Sequence, residues 1–134
     1  MEISEIIENL FQSSFISEPE KIAEMGIDLV IDLEGKLDVN LPVKSYLYYP
    51  FYDIPKLPDI NDLDAIASYG SYFLKTGKKV LTHCSFGYNR SGFVNGLILI
   101  KLGFTGKEAV SLIQKKRPNS LLNDTFRDFL LGRY

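Results

Sequence analysis

Cysteine and histidine each occur once in these 134 residues, and that scarcity is the first constraint. A lone Cys84 permits no intramolecular disulfide and no cysteine-rich zinc site, and it suits a reducing compartment such as the cytoplasm. Net charge is nearly absent too. Fifteen basic and 17 acidic side chains leave -2, so no global field draws the chain to nucleic acid or to an anionic membrane. Long hydrophobic runs are missing. The longest, Gly96 to Ile100, is far too short to span a bilayer. The opening Met1-Glu2-Ile3-Ser4-Glu5 is acidic and lacks the basic start and apolar stretch of a signal peptide. No repeat, linker or low-complexity tract interrupts the chain. The remainder is an ordinary globular composition, 46% hydrophobic and 24% charged, in a length expected to form a single domain over residues 1–134.

Hydrophobic patterning predicts strands alternating with helices. Residues 1–9 read as a helical turn or a loose arm. Leu10-Phe11 and Phe15-Ile16 read as a short strand or hairpin around Gln12-Ser13-Ser14. Ser17, with Glu20 three residues on, is the expected cap of a helix that buries Ile22, Ala23 and Met25 and ends at Gly26. Ile27 to Leu33 suits a strand covered on both faces. Lys36 to Lys44 is a loop and Ser45 to Tyr49 an aromatic strand. Asn61 is the expected cap of a helix through Leu74, followed by the strand Val80 to His83 and a helix from Arg90 to Leu102. Thr105, with Glu108, opens a helix to Lys116, and Asn123 opens a last one to Leu131. The fold class expected is α/β: a central, mostly parallel sheet of four to five strands flanked by helices. Ligands bind such sheets beyond the carboxyl ends of the strands.

One stretch organises the rest. Val80 to Gly92 runs from an apolar strand through a polar loop into a helix, and it contains His83, Cys84 and, six residues after the cysteine, Arg90. Backbone N–H groups from Ser85 to Arg90 can curl around a tetrahedral anion, with Gly87 permitting the turn and the helix pointing its positive end into the same space. Arg90 brings a planar fork for two phosphate oxygens. The same positive surroundings are expected to favour a Cys84 thiolate, placed for in-line attack at phosphorus. Ser91 is spaced to donate its hydroxyl to that sulfur. A chance match to five such positions is on the order of one in ten thousand, so the stretch reads as a phosphate-binding loop rather than as a core cysteine with a surface arginine nearby.

His83-Cys84-Ser85-Phe86-Gly87-Tyr88-Asn89-Arg90-Ser91-Gly92 resembles the signature loop of cysteine-dependent protein-tyrosine phosphatases. The chain from about Asn9 onward is similar to the compact dual-specificity branch, including Val30-Ile31-Asp32-Leu33 and the closing Lys116-Arg117-Pro118 with Asn123-x-x-Phe126. The resemblance implies a cysteinyl-phosphate intermediate and no metal or other cofactor. It makes Cys84 the nucleophile, Arg90 the phosphate clamp, Ser91 the thiolate partner and His83 an orienting residue beneath the loop. Asn123 would brace the loop or order water, besides its reading as a helix cap.

Ester cleavage also needs a proton for the leaving oxygen. Asp53, Asp59, Asp62 and Asp64 lie between the second long strand and the next helix. Asp62 and Asp64 fit the first helical turn, where carboxylates favour the dipole, and Asp59 fits a cap or turn. Compact relatives place their acid about thirty residues ahead of the cysteine, and Asp53 is thirty-one ahead, which makes it the preferred acid with Asp59 as runner-up. Ser85, Phe86, Tyr88 and Asn89 form the pocket walls and none is basic, whereas relatives that act on inositol lipids often carry lysines inside the loop, so the resemblance counts against that substrate class. The expected substrate is phosphotyrosine, with phosphoserine and phosphothreonine, in a protein, or a small phosphoester, handled by a monomer that binds no membrane. Two alternatives stay open. Gly87-Tyr88-Asn89-Arg90-Ser91-Gly92 is also similar to the loop of RNA 5′-triphosphatases, although the acidic balance disfavours RNA. The other is a non-catalytic phosphate-binding module.

Overall fold

The computed structural model describes residues 1–35 and 40–133. Strand β1 (Ile3–Ile7) is followed by β2 (Leu10–Ser13), α1 (Pro19–Met25), β3 (Leu29–Asp32) and β4 (Ser45–Tyr48). Then come α2 (Ile60–Lys75), β5 (Val80–His83), α3 (Arg90–Lys101), α4 (Gly106–Lys116) and α5 (Asp124–Leu130). The five strands form one sheet in the order β1-β2-β5-β3-β4. All neighbours are parallel except the β1-β2 pair. The α/β class and the mostly parallel sheet are therefore as expected.

β2, β3 and β5 are buried at every position, as strands sandwiched between layers must be. The larger core packs Leu29, Ile31 and Val80 with Leu63, Phe93, Ile98 and Phe126 from α2, α3 and α5. The smaller core, on the other face, joins Phe11, Val30 and Leu81 to Ile22 of α1. Phe93 and Phe126 stack at 4.7 Å between centroids and lock α5 against α3.

Five local expectations need correction. Residues 3–7 form an edge strand, not a helical turn or loose arm. Asn9, at φ 70°, turns the chain so that Ile3 pairs with Ser13, and Ile6 is buried. The hairpin thus precedes Leu10; Phe15-Ile16 does not fold back on β2. Helix α1 is capped at Glu18 without a side-chain bond, not by Ser17, because Pro19 sets the first helical position. Within it Ile22 is buried and Ala23 exposed, since a seven-residue helix offers one narrow face. Asp59, not Asn61, caps α2, accepting from the Asn61 and Asp62 amides at 2.9 and 3.3 Å. The capping box of Thr105 and Glu108 is present, and the amide and hydroxyl of Thr105 hold the Glu108 carboxyl below its ordinary range. The loop expected from Lys36 to Lys44 falls partly outside the described residues. Among the described residues no helix is long and apolar enough to cross a membrane.

Parallel register brings Ser13, His83 and Asp32 level across the sheet, with Tyr48 beside Asp32. The segments that leave β2, β3, β4 and β5 therefore converge at one carboxyl edge.

Candidate active site

Cys84 begins the loop after β5 and is 2% exposed. Its Sγ lies 3.4 Å from Ser91 Oγ, in the first turn of α3. Between them the backbone is turned inside out. The carbonyl of Ser85 accepts from the Phe15 amide at 3.1 Å, that of Phe86 from Arg117 Nη2 at 3.1 Å, and that of Tyr88 from the Leu121 amide at 3.2 Å. The Gly87 carbonyl accepts twice, from Arg117 Nε at 2.7 Å and Gln12 Nε2 at 2.8 Å. With successive carbonyls drawn into the protein, the amides of the loop are left for a ligand on the other side, the arrangement of an anion nest. The N-terminal end of α3 adds its partial positive charge there.

Gly87 has a physical reason to be glycine. Its φ is +78°, and a Cβ would sit 2.4 Å from the Ser13 carbonyl carbon.

Arg117 and Gln12 are the residues that sequence reasoning missed. Arg117 is 4% exposed and also donates from Nη1 to Ser4 Oγ at 3.0 Å and the Glu2 carbonyl at 3.2 Å. Its guanidinium carbon lies 5.2 Å from the centre of the Tyr88 ring, so Tyr88 packs against this brace. Gln12 is fully buried and holds Ser120 Oγ and Asn95 as well as the loop. Next to Ser13 and Ser14 its polar side chain reads as part of a turn, so nothing in the sequence signals this role.

Arg90 is fixed by three acceptors. Nη1 donates to the carbonyls of Phe51 at 3.1 Å and Leu33 at 3.4 Å, and Nη2 donates to Ser85 Oγ at 2.9 Å. Ser85 in turn donates to Glu34 Oε2 at 2.7 Å, which places a carboxylate at the rim. Beneath the loop, His83 Nε2 lies 3.4 Å from Asp32 Oδ1, and the Tyr46 hydroxyl donates to the other oxygen of Asp32. Phe86 is 74% exposed at the mouth.

The four candidate acids are in different situations. Asp59 is the α2 cap. Asp62 accepts from the Tyr49 hydroxyl at 2.7 Å, a bond that pushes Tyr49 up to about 12. Asp64 pairs with Lys101 at 2.6 Å. Asp53 alone of the four bonds to the loop, accepting from Asn89 Nδ2 at 2.9 Å. Its other oxygen accepts from Asn123 Nδ2 at 2.8 Å, while Asn123 Oδ1 caps α5 through the Phe126 amide. Asn123 thus caps α5, and its side-chain amide reaches Asp53 and not the loop itself. A cleft of about 470 Å³ opens beside Arg90, lined by Glu34, Tyr48, Pro50, Phe51 and Tyr52.

A family model described as dual specificity phosphatase, catalytic domain, matches residues 10–133. The chain belongs to the dual-specificity phosphatase family. It is 31% identical over 134 residues to MAP kinase phosphatase with leucine-rich repeats protein 3 of Dictyostelium discoideum, covering 96% of this chain and 15% of that protein. The chain thus spans a small part of the length of that relative. Human DUSP28 shares the dual-specificity phosphatase fold at a TM-score of 0.87, with 20% identity over 97% of this chain and 90% of that one. The human tyrosine phosphatase-like serine/threonine/tyrosine-interacting protein shares it at 0.80, with 22% identity over 98% and 94% of the two chains.

Proposed function

We propose that residues 1–134 act as one catalytic domain that hydrolyses phosphate monoesters on proteins through a cysteinyl-phosphate intermediate. The observation that carries this is the inverted loop: tied-back carbonyls surround a buried cysteine, with Arg90 at the helix start. The loop amides and Arg90 bind the three peripheral oxygens of the phosphoryl group. The Cys84 thiolate attacks phosphorus, an S–P bond forms and the ester P–O bond breaks. Asp53, protonated, gives its proton to the departing oxygen. Water then attacks phosphorus, its proton passes to the Asp53 carboxylate, and the S–P bond breaks with release of inorganic phosphate. The Ser91 hydroxyl, 3.4 Å from sulfur, stabilises the thiolate as it leaves.

Asp53 is favoured as the acid because Asp59, Asp62 and Asp64 are each bonded elsewhere. The aromatic cleft of Tyr48, Phe51 and Tyr52 favours phosphotyrosine, and its openness to the surface admits phosphoserine and phosphothreonine. Glu34 at the rim disfavours polyanions, including triphosphate-ended RNA. The relative named as a MAP kinase phosphatase supports a phosphoprotein substrate. The free Cys84 suits a domain working in a reducing compartment such as the cytoplasm.

The test is turnover of p-nitrophenyl phosphate in the presence of a chelator, followed by phosphotyrosyl and phosphoseryl peptides. Activity that disappears in Cys84→Ser supports the proposal. Retained phosphopeptide binding without turnover in the unmodified chain would point to a binding module. Preferential release of γ-phosphate from triphosphate-ended RNA would favour the RNA reading.

A further inference from the structure

Asn89 belongs to the signature loop, and its side chain bonds to residues outside that loop. Asn89 Nδ2 donates to Asp53 Oδ2 at 2.9 Å, and Asn89 Oδ1 accepts from the Asn123 backbone amide at 3.0 Å. Asn123 Nδ2 donates to Asp53 Oδ1 at 2.8 Å and to the Ile54 carbonyl at 3.0 Å. The three residues close a ring across segments 34, 36 and 70 positions apart.

The ring dictates which way each amide faces. Asn89 Oδ1 and Asn123 Oδ1 each meet a backbone N–H, so each Nδ2 must face Asp53. An aspartate at either place would set a second negative charge against Asp53. Asp53 is itself exposed, and without this ring its carboxyl would rotate in solvent.

We propose that Asn89 and Asn123 are positioning residues that hold the Asp53 carboxyl over the signature loop before substrate arrives. This rests on Asp53 being the acid. Each amide bond strengthens as Asp53 loses its proton, because a carboxylate accepts more strongly than the neutral acid. The clasp therefore stabilises the transition state of proton donation more than the ground state. Its contribution grows as the leaving group becomes more basic and needs the proton more.

The experiment compares p-nitrophenyl phosphate, a good leaving group, with phenyl phosphate, a poor one, in Asn89→Ala, Asn123→Ser and Asp53→Asn. Serine at 123 still caps α5 but is too short to reach Asp53. Each asparagine variant is expected to widen the ratio of the two kcat values by about fivefold or more, with KM little changed. Added to Asp53→Asn, Asn89→Ala is expected to widen the ratio no further, because it acts through Asp53. If Asp53→Asn widens the ratio and the asparagine variants do not, the clasp is wrong and the acid assignment stands. If Asp53→Asn leaves the ratio unchanged, the acid assignment fails and the clasp with it. Should Asn123→Ser not fold, Asn89→Ala decides, since it leaves the Asn123 side-chain cap of α5 in place and Asn89 makes no side-chain cap bond to α3.

Discussion

The floor and the rim of this site are built by different means. On the floor, Cys84, Gly87, Gln12 and Arg117 are all buried, and the loop carbonyls are held by groups from β2, the end of α4 and the segment before α5. At the rim, Asp53 stands on an exposed segment and is held to the loop by two side-chain amides. The contrast teaches how the two tasks differ. Binding a phosphoryl group, the part proposed for the loop, needs dipoles that are aimed beforehand and shielded from water, and the floor is part of the core. Giving a proton to different leaving groups, the part proposed for Asp53, needs access from solvent, and Asp53 sits outside with replaceable bonds. Floor substitutions should therefore damage stability and activity together, and rim substitutions activity alone.

The largest effect expected is from Cys84→Ser, which should lower kcat by about 10⁴-fold or more while inorganic phosphate still binds; measurable single-site turnover in that variant would remove the nucleophile from the floor. Gly87→Ala comes next. The added Cβ meets the Ser13 backbone at 2.4 Å at a positive φ, so both kcat/KM and Tm should drop. An alanine variant that keeps its Tm and activity would show that the loop is not pressed against β2. Arg117→Met should cost about 2–4 kcal/mol in denaturant unfolding, because the buried Gly87 carbonyl and the Phe86 carbonyl lose charged donors. Asp53→Asn should lower kcat on phenyl phosphate by about 10²-fold yet shift unfolding by less than about 0.5 kcal/mol; a large loss of stability would erase the distinction between floor and rim. The smallest effect is expected for Glu34→Gln. It keeps an acceptor for Ser85 and removes the rim charge, so KM for a doubly phosphorylated peptide should fall a few-fold, about 2–4 times, with kcat unchanged.

Legibility followed distance along the chain. The stretch from Val80 to Gly92 could be read because strand, turn and helix are each encoded by neighbours, and β5 and α3 begin where the pattern places them. The Thr105–Glu108 box is equally local. The N-terminal strand was not legible, because Ser4 and Glu5 interrupt its apolar residues and it becomes a strand only by pairing with Leu10 to Ser13. Asp59 was weighed as an acid and is a cap, a distinction that depends on whether α2 starts at Ile60 or two residues later.

By itself, then, the sequence determined the α/β alternation and the composition of the phosphate loop, because hydrophobic period, helix caps and loop residues act between near neighbours. Tertiary structure alone decided which aspartate reaches that loop, that Asn89 turns toward it, and that Gln12 and Arg117 hold the loop carbonyls. Gln12 lies 75 residues from Gly87 and Arg117 lies 30, and such partners become known only when parallel register brings the strand ends to one edge.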